Sequence, residues 1–472
     1  MRFWPPMNAD QHRLRTWAGI FLAFAVLATA WAEPADLILS AGHVVTMDAQ
    51  KRVIANGAVA IRGARIAAVG TRAEINKRFQ SKQRIDEPAA LLIPGLINTH
   101  THAPMALLRG IADDMRLQDW LEKFIFPAEA KNVTPGFVRW GTRLACAEML
   151  LSGTTTYTDM YYFEEVIAEA TKECGMRGIL GQTVIGFPAP DAKTVADGLK
   201  RSEAFLERFR NDELIVPAIA PHAVYTNSEE TLTAARVLAN RFQAPLLIHL
   251  SETKRENDEI FRQKKLTPTK LLDRLGALNG RTIAAHGVWI DEEDMRILKQ
   301  RGVGIAHCPS SNTKLASGIA PVLKYLAADV AIGLGTDGPA GSNNDLNLFE
   351  EMDLAAKMQK VTAMDPVALT AEQAFEMATI RGARALGIEK EIGSIEAGKR
   401  ADIAFVRLDT PHATPMFNVY SQLVYALKGS DVQHVVVNGR VVVRNRRVLT
   451  LNVPQVLAKA AEYQRAIAAS IQ

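Results

Sequence analysis

The chain is poor in cysteine. Its 472 residues include only three, Cys146, Cys174 and Cys308, an odd set with no C-x-x-C pair. This argues against a disulfide framework, a Cys-rich zinc module and the P-C-x-x-C signature of one class of zinc deaminases. The three read as buried free thiols. An excess of one charge sign is also lacking, with 55 Lys and Arg against 51 Asp and Glu and a formal net charge of +4. There is no Lys/Arg-rich run and no basic stretch interleaved with aromatics, so nothing points to nucleic acid and a small polar or neutral partner is expected. No G-x-G-x-x-G follows an apolar strand, which counts against a nucleotide cofactor.

Long hydrophobic runs are nearly absent too. The exception, Ala18 to Ala30, follows Arg13 and Arg15 and ends in Ala30-Trp31-Ala32, with small residues where a cleavage site needs them. It predicts a signal peptide over residues 1–32, cut before Glu33, and export to a compartment such as the periplasm. The alternative, an uncleaved membrane anchor, is disfavoured because the run is shorter than the ~20 residues of a span. Cleavage would leave 440 residues and, removing three Arg and one Asp, lower the net charge from +4 to +2. No later segment is a candidate span, so no membrane contact is expected of the mature chain.

What remains, 48% hydrophobic and 22% charged overall, is the composition of an ordinary globular protein. Short β-rich pieces broken by Gly run from Leu37 to Ile93. Similar pieces return after Gly393, at Ala401 to Val406, Val432 to Val437 and Arg440 to Val443, with an Asn438-Gly439 turn between the last two. Residues 33–93 and 391–450 therefore predict one composite β-sandwich domain closed by both ends of the chain, followed by a C-terminal helix over 451–472. Between the halves, across 94–390, eight apolar runs alternate with helical stretches: Leu96 to His102, Thr154 to Met160, Gly178 to Val184, Ile215 to His222, Pro245 to Glu252, Thr282 to Trp289, Gly302 to Pro309 and Ala331 to Asp337. Eight strands buried on both faces predict an α/β fold of the (β/α)₈ TIM barrel type, with an open doubly wound sheet as the other architecture.

These strands end in polar residues. Of the nine histidines outside the signal, six sit at strand ends: His100, His102, His222, His249, His286 and His307. In a barrel the C-terminal strand ends surround the active site, so residues far apart in sequence should converge. His100 and His102 are two apart, point to one face and can share an ion, with His249 and Asp337 as candidates to complete it. Alone, an H-x-H pair is more often an accident or a polar strand end. Followed by His249-Leu250-Ser251-Glu252, a lone His286 and Gly335-Thr336-Asp337-Gly338, it is far more specific.

With Pro94-Gly95-Leu96-Ile97-Asn98-Thr99-His100-Thr101-His102 and the tail Gly393-Ser394-Ile395-Glu396-Ala397-Gly398-Lys399-Arg400-Ala401-Asp402, the chain resembles the metal-dependent amidohydrolase superfamily. Within it, the similarity is strongest to the 5-methylthioadenosine/S-adenosylhomocysteine deaminases and the triazine hydrolases. The resemblance implies a deaminase in which His100, His102, His249 and Asp337 hold one divalent metal, Zn²⁺ foremost and Fe²⁺ or Mn²⁺ as alternatives. Strand four ends in Pro221-His222 without the lysine that bridges two ions in binuclear members, which points to a single metal. Hydrolysis of an amidine needs two acid/base groups. Glu252 is expected to serve the ring nitrogen, and Asp337, with His286 orienting the water, to serve the attacking oxygen.

The long first βα loop, Ala103 to Thr134, is the natural lid and carries Trp120, Phe124, Phe126 and Glu129. By resemblance Glu129 binds ribose hydroxyls and His222 lies beside the base or ribose, so Glu129, His222, Glu252 and Asp337 are the expected substrate contacts. Read alone, Glu129 is a solvated helix carboxylate; the competing reading of Glu252 is a first-turn carboxylate stabilised by the helix dipole and that of His286 a hydrogen-bonded core histidine. His307 and Cys308 receive no role, and Asp159 is expected to anchor strand two. Relatives that accept the homocysteine carboxylate carry arginines after strand three, whereas Gln182 to Lys193 holds one basic residue, Lys193. An anionic tail would lose its bidentate partner, so methylthioadenosine or adenosine should serve at least as well as S-adenosylhomocysteine.

The expected reaction converts an adenine nucleoside to its inosine analogue and ammonia. Alternatives on the same site are deamination of guanine or a pyrimidine, or removal of an amine or chloride from an s-triazine. A non-catalytic binding protein on this fold would be expected to lose ligands or the acid/base pair, and here every such position is filled. A homo-oligomer is compatible with the sequence.

Overall fold

The computed structural model describes residues 32–471, so the proposed signal peptide, all but its last residue, lies outside the described residues. Eight parallel strands form one sheet in strict chain order: Leu96–Thr101, Thr154–Tyr161, Arg177–Val184, Ile215–Pro221, Leu246–Leu250, Thr282–His286, Gly304–His307 and Ala331–Leu334. All eight coincide with the apolar runs. They are buried almost throughout, which is why they read as continuous hydrophobic segments rather than alternating ones.

The barrel closes between its eighth and first strands by a substitute for a regular ladder. Asn98 Oδ1 accepts from Thr336 N at 3.0 Å, Asn98 Nδ2 donates to Thr336 Oγ1 at 2.8 Å, and Asp337 N donates to His100 O at 3.0 Å. This seam needs close approach. A Cβ on Gly333 would meet Thr99 Cγ2 at 2.6 Å, and one on Gly335 would meet His100 N at 2.9 Å. Toward the N-terminal strand ends the interior is plugged by Ile97, Ile179, Leu247, Ile283 and Ala306, with Leu386 and Ile392 packed against them. An apolar floor and polar strand ends leave only the C-terminal mouth for chemistry.

The outer helices follow from amphipathic spacing and caps. Val195–Phe209 starts with a Thr194/Asp197 capping box and buries Gly198, Ser202, Phe205, Leu206 and Phe209, one stripe of a 3.6-residue period. Each fully buried Leu or Phe of such a stripe contributes about 1.5–3 kcal/mol.

The β segments from both ends of the chain join in one mixed sheet ordered Arg447–Val448, Arg440–Arg444, Val432–Val437, Ile403–Arg407, Gln83–Pro94, Leu37–Val45, Val53–Arg62, Arg65–Thr71. Leu37–Val45 runs parallel to Gln83–Pro94, and every other pair is antiparallel. The sheet curls, because the edge residue Arg65 pairs with Arg400 and Ile66 N donates to Lys399 O at 2.9 Å. Asn438 (φ 51°) and Gly439 (φ 77°) form the left-handed two-residue turn their sequence predicts. Asp402 ties this sheet to the barrel through a buried ion pair with Arg177 at 3.0 Å. The helix Val453–Ile471 packs on the barrel, where Lys131 Nζ donates to Ser470 O at 3.0 Å. Among the described residues no helix is long and apolar enough to cross a membrane.

Candidate active site

Five of the six strand-end histidines converge at the barrel mouth. The ligating atoms of His100, His102 and Asp337 lie within 4.8 Å of one another, as do those of His100, His249 and His286. His102 Nδ1 is 2.7 Å from Met160 O, and His249 Nδ1 is 2.8 Å from His222 O. A carbonyl can only accept, so both Nδ1 atoms carry a proton, and in the neutral rings that bind metals both Nε2 atoms present a lone pair. Those two Nε2 atoms face each other at 3.3 Å. Opposed lone pairs at that distance repel unless a cation lies between or beside them. His100 Nε2 is buried without a hydrogen-bond partner, 3.4 Å from Asp337 Oδ1. Three imidazole nitrogens and a carboxylate are the donor set of a borderline divalent ion, and the residues present fit one.

Electrostatics agree with that fit. Burial holds the His100 imidazole down at about 4, which keeps it neutral and able to ligate. Burial would raise the Asp337 carboxyl, but the facing imidazoles of His100, His286 and His102 hold it well below the usual carboxylate range.

The strand ends are bent to reach this arrangement. Ser251 (φ 50°), His286 (φ 74°) and Asp337 (φ 65°) adopt left-handed backbone after strand five, at the end of strand six and after strand eight. Each such non-glycine residue costs on the order of 1–3 kcal/mol, a cost met where function over-determines the geometry. Glu252 follows Ser251 directly and its Oε2 lies 3.8 Å from His286 Nε2. It is not a first-turn carboxylate, since Thr253 is the helix cap and Glu256 occupies the first turn. Glu256 instead accepts from Ser251 N at 3.1 Å and Glu252 N at 2.8 Å, holding the turn that aims Glu252. Burial raises the Glu252 carboxyl; burial opposes charge on His286, but the Glu252 and Asp337 carboxylates raise it above its ordinary value. Both shifts favour a proton retained within the pair.

The cleft above this cluster is lined by His102, His222, His249, Glu252, His286 and Asp337 on its polar side, and by Met105, Trp120, Leu121, Phe126, Tyr161, Tyr162 and Tyr225 elsewhere. The lid supplies Trp120, Phe126 and Glu129, but not Phe124, which is 41% exposed and faces away from the cleft. Glu129 is only 4% exposed, which removes its reading as a solvated helix carboxylate; burial pushes it up to about 7. His222 lines the cleft, its ring 4.6 Å from that of His249. Asp159 lies beneath, accepting from Thr101 Oγ1 at 2.7 Å and Ala103 N at 2.5 Å, and so anchors the turn that follows His102. His307 is buried on strand seven and does not line the cleft. Lys193 is exposed, and no Lys or Arg is among the lining residues.

Several site residues carry no sequence signal. Ser311 Oγ donates to Asp337 Oδ2 at 2.7 Å, Asn312 Oδ1 lies 2.9 Å from His286 Nδ1, and Ser317 Oγ donates to Glu252 Oε1 at 3.3 Å. The run Pro309-Ser310-Ser311-Asn312 directly after a barrel strand is the one hint that this loop serves the site.

Residues 91–442 match the Amidohydrolase family. The chain belongs to that family. A short stretch, residues 57–79, also matches the bacterial imidazolonepropionase-like composite domain. This amidohydrolase is 46% identical over 425 residues to the 5-methylthioadenosine/S-adenosylhomocysteine deaminase of Thermodesulfovibrio yellowstonii, covering 90% of this chain and 97% of the relative. It is 48% identical over 422 residues to 5-methylthioadenosine/S-adenosylhomocysteine deaminase 1 of Syntrophus aciditrophicus, covering 89% and 95%. Among solved structures, an adenosine deaminase from Xanthomonas campestris with bound zinc superimposes with a TM-score of 0.91 at 39% identity, covering 93% of this chain and all of that one. The atrazine chlorohydrolase TrzN from Arthrobacter aurescens, complexed with zinc, follows with a TM-score of 0.82 at 25% identity, covering 91% and 100%.

Proposed function

We propose that this amidohydrolase is a metal-dependent aminohydrolase of adenine nucleosides, acting on 5-methylthioadenosine, adenosine or S-adenosylhomocysteine and releasing the inosine analogue and ammonia. The observation that carries it is one cleft holding a histidine–aspartate cluster, the proton-retaining pair Glu252/His286 and the buried Glu129. The deaminases at 46–48% identity and the zinc-bearing adenosine deaminase support the same reading, and the zinc-bearing TrzN supports the metal alone.

His100, His102, His249 and Asp337 would hold a single divalent ion, with Zn²⁺ the best fit to the donors. When bound, such an ion lowers the pKa of water from ~15.7 to ~7 and so makes a nucleophile available at neutral pH. Glu252 gives its proton to the ring nitrogen as the amidine carbon is attacked. Asp337 takes up the first proton released by the water, which His286 orients, and passes it to the departing amine; the second water proton, lost as the carbonyl forms, returns to Glu252. Ser311 and Asn312 keep Asp337 and His286 oriented, and the apolar lid residues Trp120 and Phe126 exclude bulk water from the ring. Glu129 accepts from the ribose hydroxyls and His222 lies beside the nucleoside.

Following the ultraviolet change on deamination across adenosine, 5-methylthioadenosine, S-adenosylhomocysteine, guanine, cytosine and an amino-s-triazine tests this reading. Turnover of the adenine nucleosides is expected, with methylthioadenosine used at least as well as S-adenosylhomocysteine because no cation lines the cleft. No change with any purine nucleoside would refute the reading, and turnover confined to the triazine would replace it.

A further inference from the structure

Glu129 is held by groups that the proposed reaction does not use. Tyr161, the last residue of strand two, donates its phenol to Glu129 Oε1 at 2.6 Å, and the phenol of Tyr162 stands beside the same carboxylate. Successive residues on a strand point to opposite faces, so two neighbouring tyrosines can meet one carboxylate only if the strand breaks between them. It does. The strand ends at Tyr161, and Phe163 adopts a φ of 55°, a left-handed conformation that a bulky L residue rarely holds.

That break is enforced from below by buried polar side chains. Asp191 Oδ2 accepts from Phe163 N at 2.7 Å, and Glu164 Oε2 accepts from Tyr161 N at 3.2 Å. Gln182 joins the two, its Oε1 accepting from Glu164 N at 3.3 Å and its Nε2 donating to Asp191 Oδ2 at 2.9 Å. The Arg201 guanidinium lies 5.3 Å above the Phe163 ring and 3.4 Å from Asp191. Burying carboxylates and an amide is unfavourable unless their bonds are made, and the bonds made here shape the turn that presents both phenols.

We propose that Tyr161, with Tyr162 next to it in the cleft wall, is a positioning and specificity-determining residue that fixes Glu129 as the acceptor for a vicinal diol on the substrate's sugar. The inference rests on the nucleoside reading. An ionised carboxylate has about four acceptor positions. A phenol occupying one of them sets the rotation of the group and leaves the others for two adjacent hydroxyls, so a sugar without that pair forfeits the interaction. The phenols also oppose the upward push of burial on the Glu129 carboxyl, favouring its acceptor form.

The test uses the full-length metal-loaded enzyme and its Tyr161→Phe, Tyr162→Phe and Glu129→Gln variants, each assayed with adenosine and with 2′,3′-dideoxyadenosine. Tyr161→Phe is expected to lower kcat/KM for adenosine by about tenfold or more, the scale of one hydrogen bond to a charged group. The loss should fall on KM, with kcat and the dideoxy substrate nearly unchanged. Tyr162→Phe should show a smaller loss of the same kind, and it keeps the proposal testable if Tyr161→Phe does not fold. Equal loss with both substrates, or none, in the tyrosine variants overturns the inference while Glu129→Gln still discriminates. If Glu129→Gln itself treats the two substrates alike, the nucleoside reading of Glu129 falls as well.

Discussion

Replacing Glu252 by Gln isolates the proton carrier from everything else at the site. The side chain is 4% exposed, and its contacts are Ser317 Oγ at 3.3 Å and His286 Nε2 at 3.8 Å. Glutamine has nearly the same volume, its amide oxygen can keep the Ser317 bond, and its amide nitrogen can donate to His286. The turn is held through the backbone by Glu256 and does not depend on the Glu252 side chain. Folding stability should be equal or higher, because a buried group that resists ionisation is replaced by a neutral one. The metal site, built from other residues, should stay intact. What disappears is the titratable proton, and loss of a general acid or base lowers rates about 10²–10⁴-fold, or roughly 2.7–5.4 kcal/mol at about 1.36 kcal/mol per decade. The assay is the ultraviolet change at saturating adenosine, with zinc per chain measured on the same sample. A variant that keeps its zinc and turns over within about threefold of wild type would refute the proton-donor role, since general acid/base removal cannot be that small. Loss of zinc would make Glu252 a ligand and refute it equally.

His249→Ala removes one of the two opposed lone pairs at 3.3 Å, and the purified variant should lose its zinc and its activity; full zinc occupancy would contradict the ligand assignment. The Glu129 carboxyl is raised by burial to about 7, and its ionised form is the acceptor for both hydroxyls. That form declines as pH falls through 7, so KM for adenosine should rise below it, at most about tenfold per pH unit. A KM that stays flat between pH 6 and 8 would count against this role. N-terminal sequencing of exported protein should begin at Glu33, whereas a membrane-bound chain that retains residues 1–32 would favour the uncleaved anchor.

Much of the barrel is legible because its strands are buried on both sides, so runs such as Thr282 to His286 stand out as apolar segments with a polar terminus. The turn Asn438-Gly439 is equally local, since few residues other than Gly and Asn readily take left-handed backbone. His100 and His102 are legible as a pair because a strand has a period of two. Ser311, Asn312 and Ser317 are not, for their partners lie 26, 26 and 65 residues away and ordinary loop residues give no sign of which carboxylate or imidazole they will meet. Phe124 fails in the opposite way. It belongs to an aromatic lid by composition, but its place on the helix turns it to solvent.

The linear chain therefore determined which residue types stand at the ends of the eight strands, and with them the chemistry available to the site. Tertiary structure alone decided their state. Whether an imidazole is neutral, whether Glu129 titrates near 7 or as a surface acid, and whether two Nε2 lone pairs confront each other depend on burial and on distances between strands. These are consequences of three-dimensional closure, because desolvation and Coulomb energy act through space and not along the backbone.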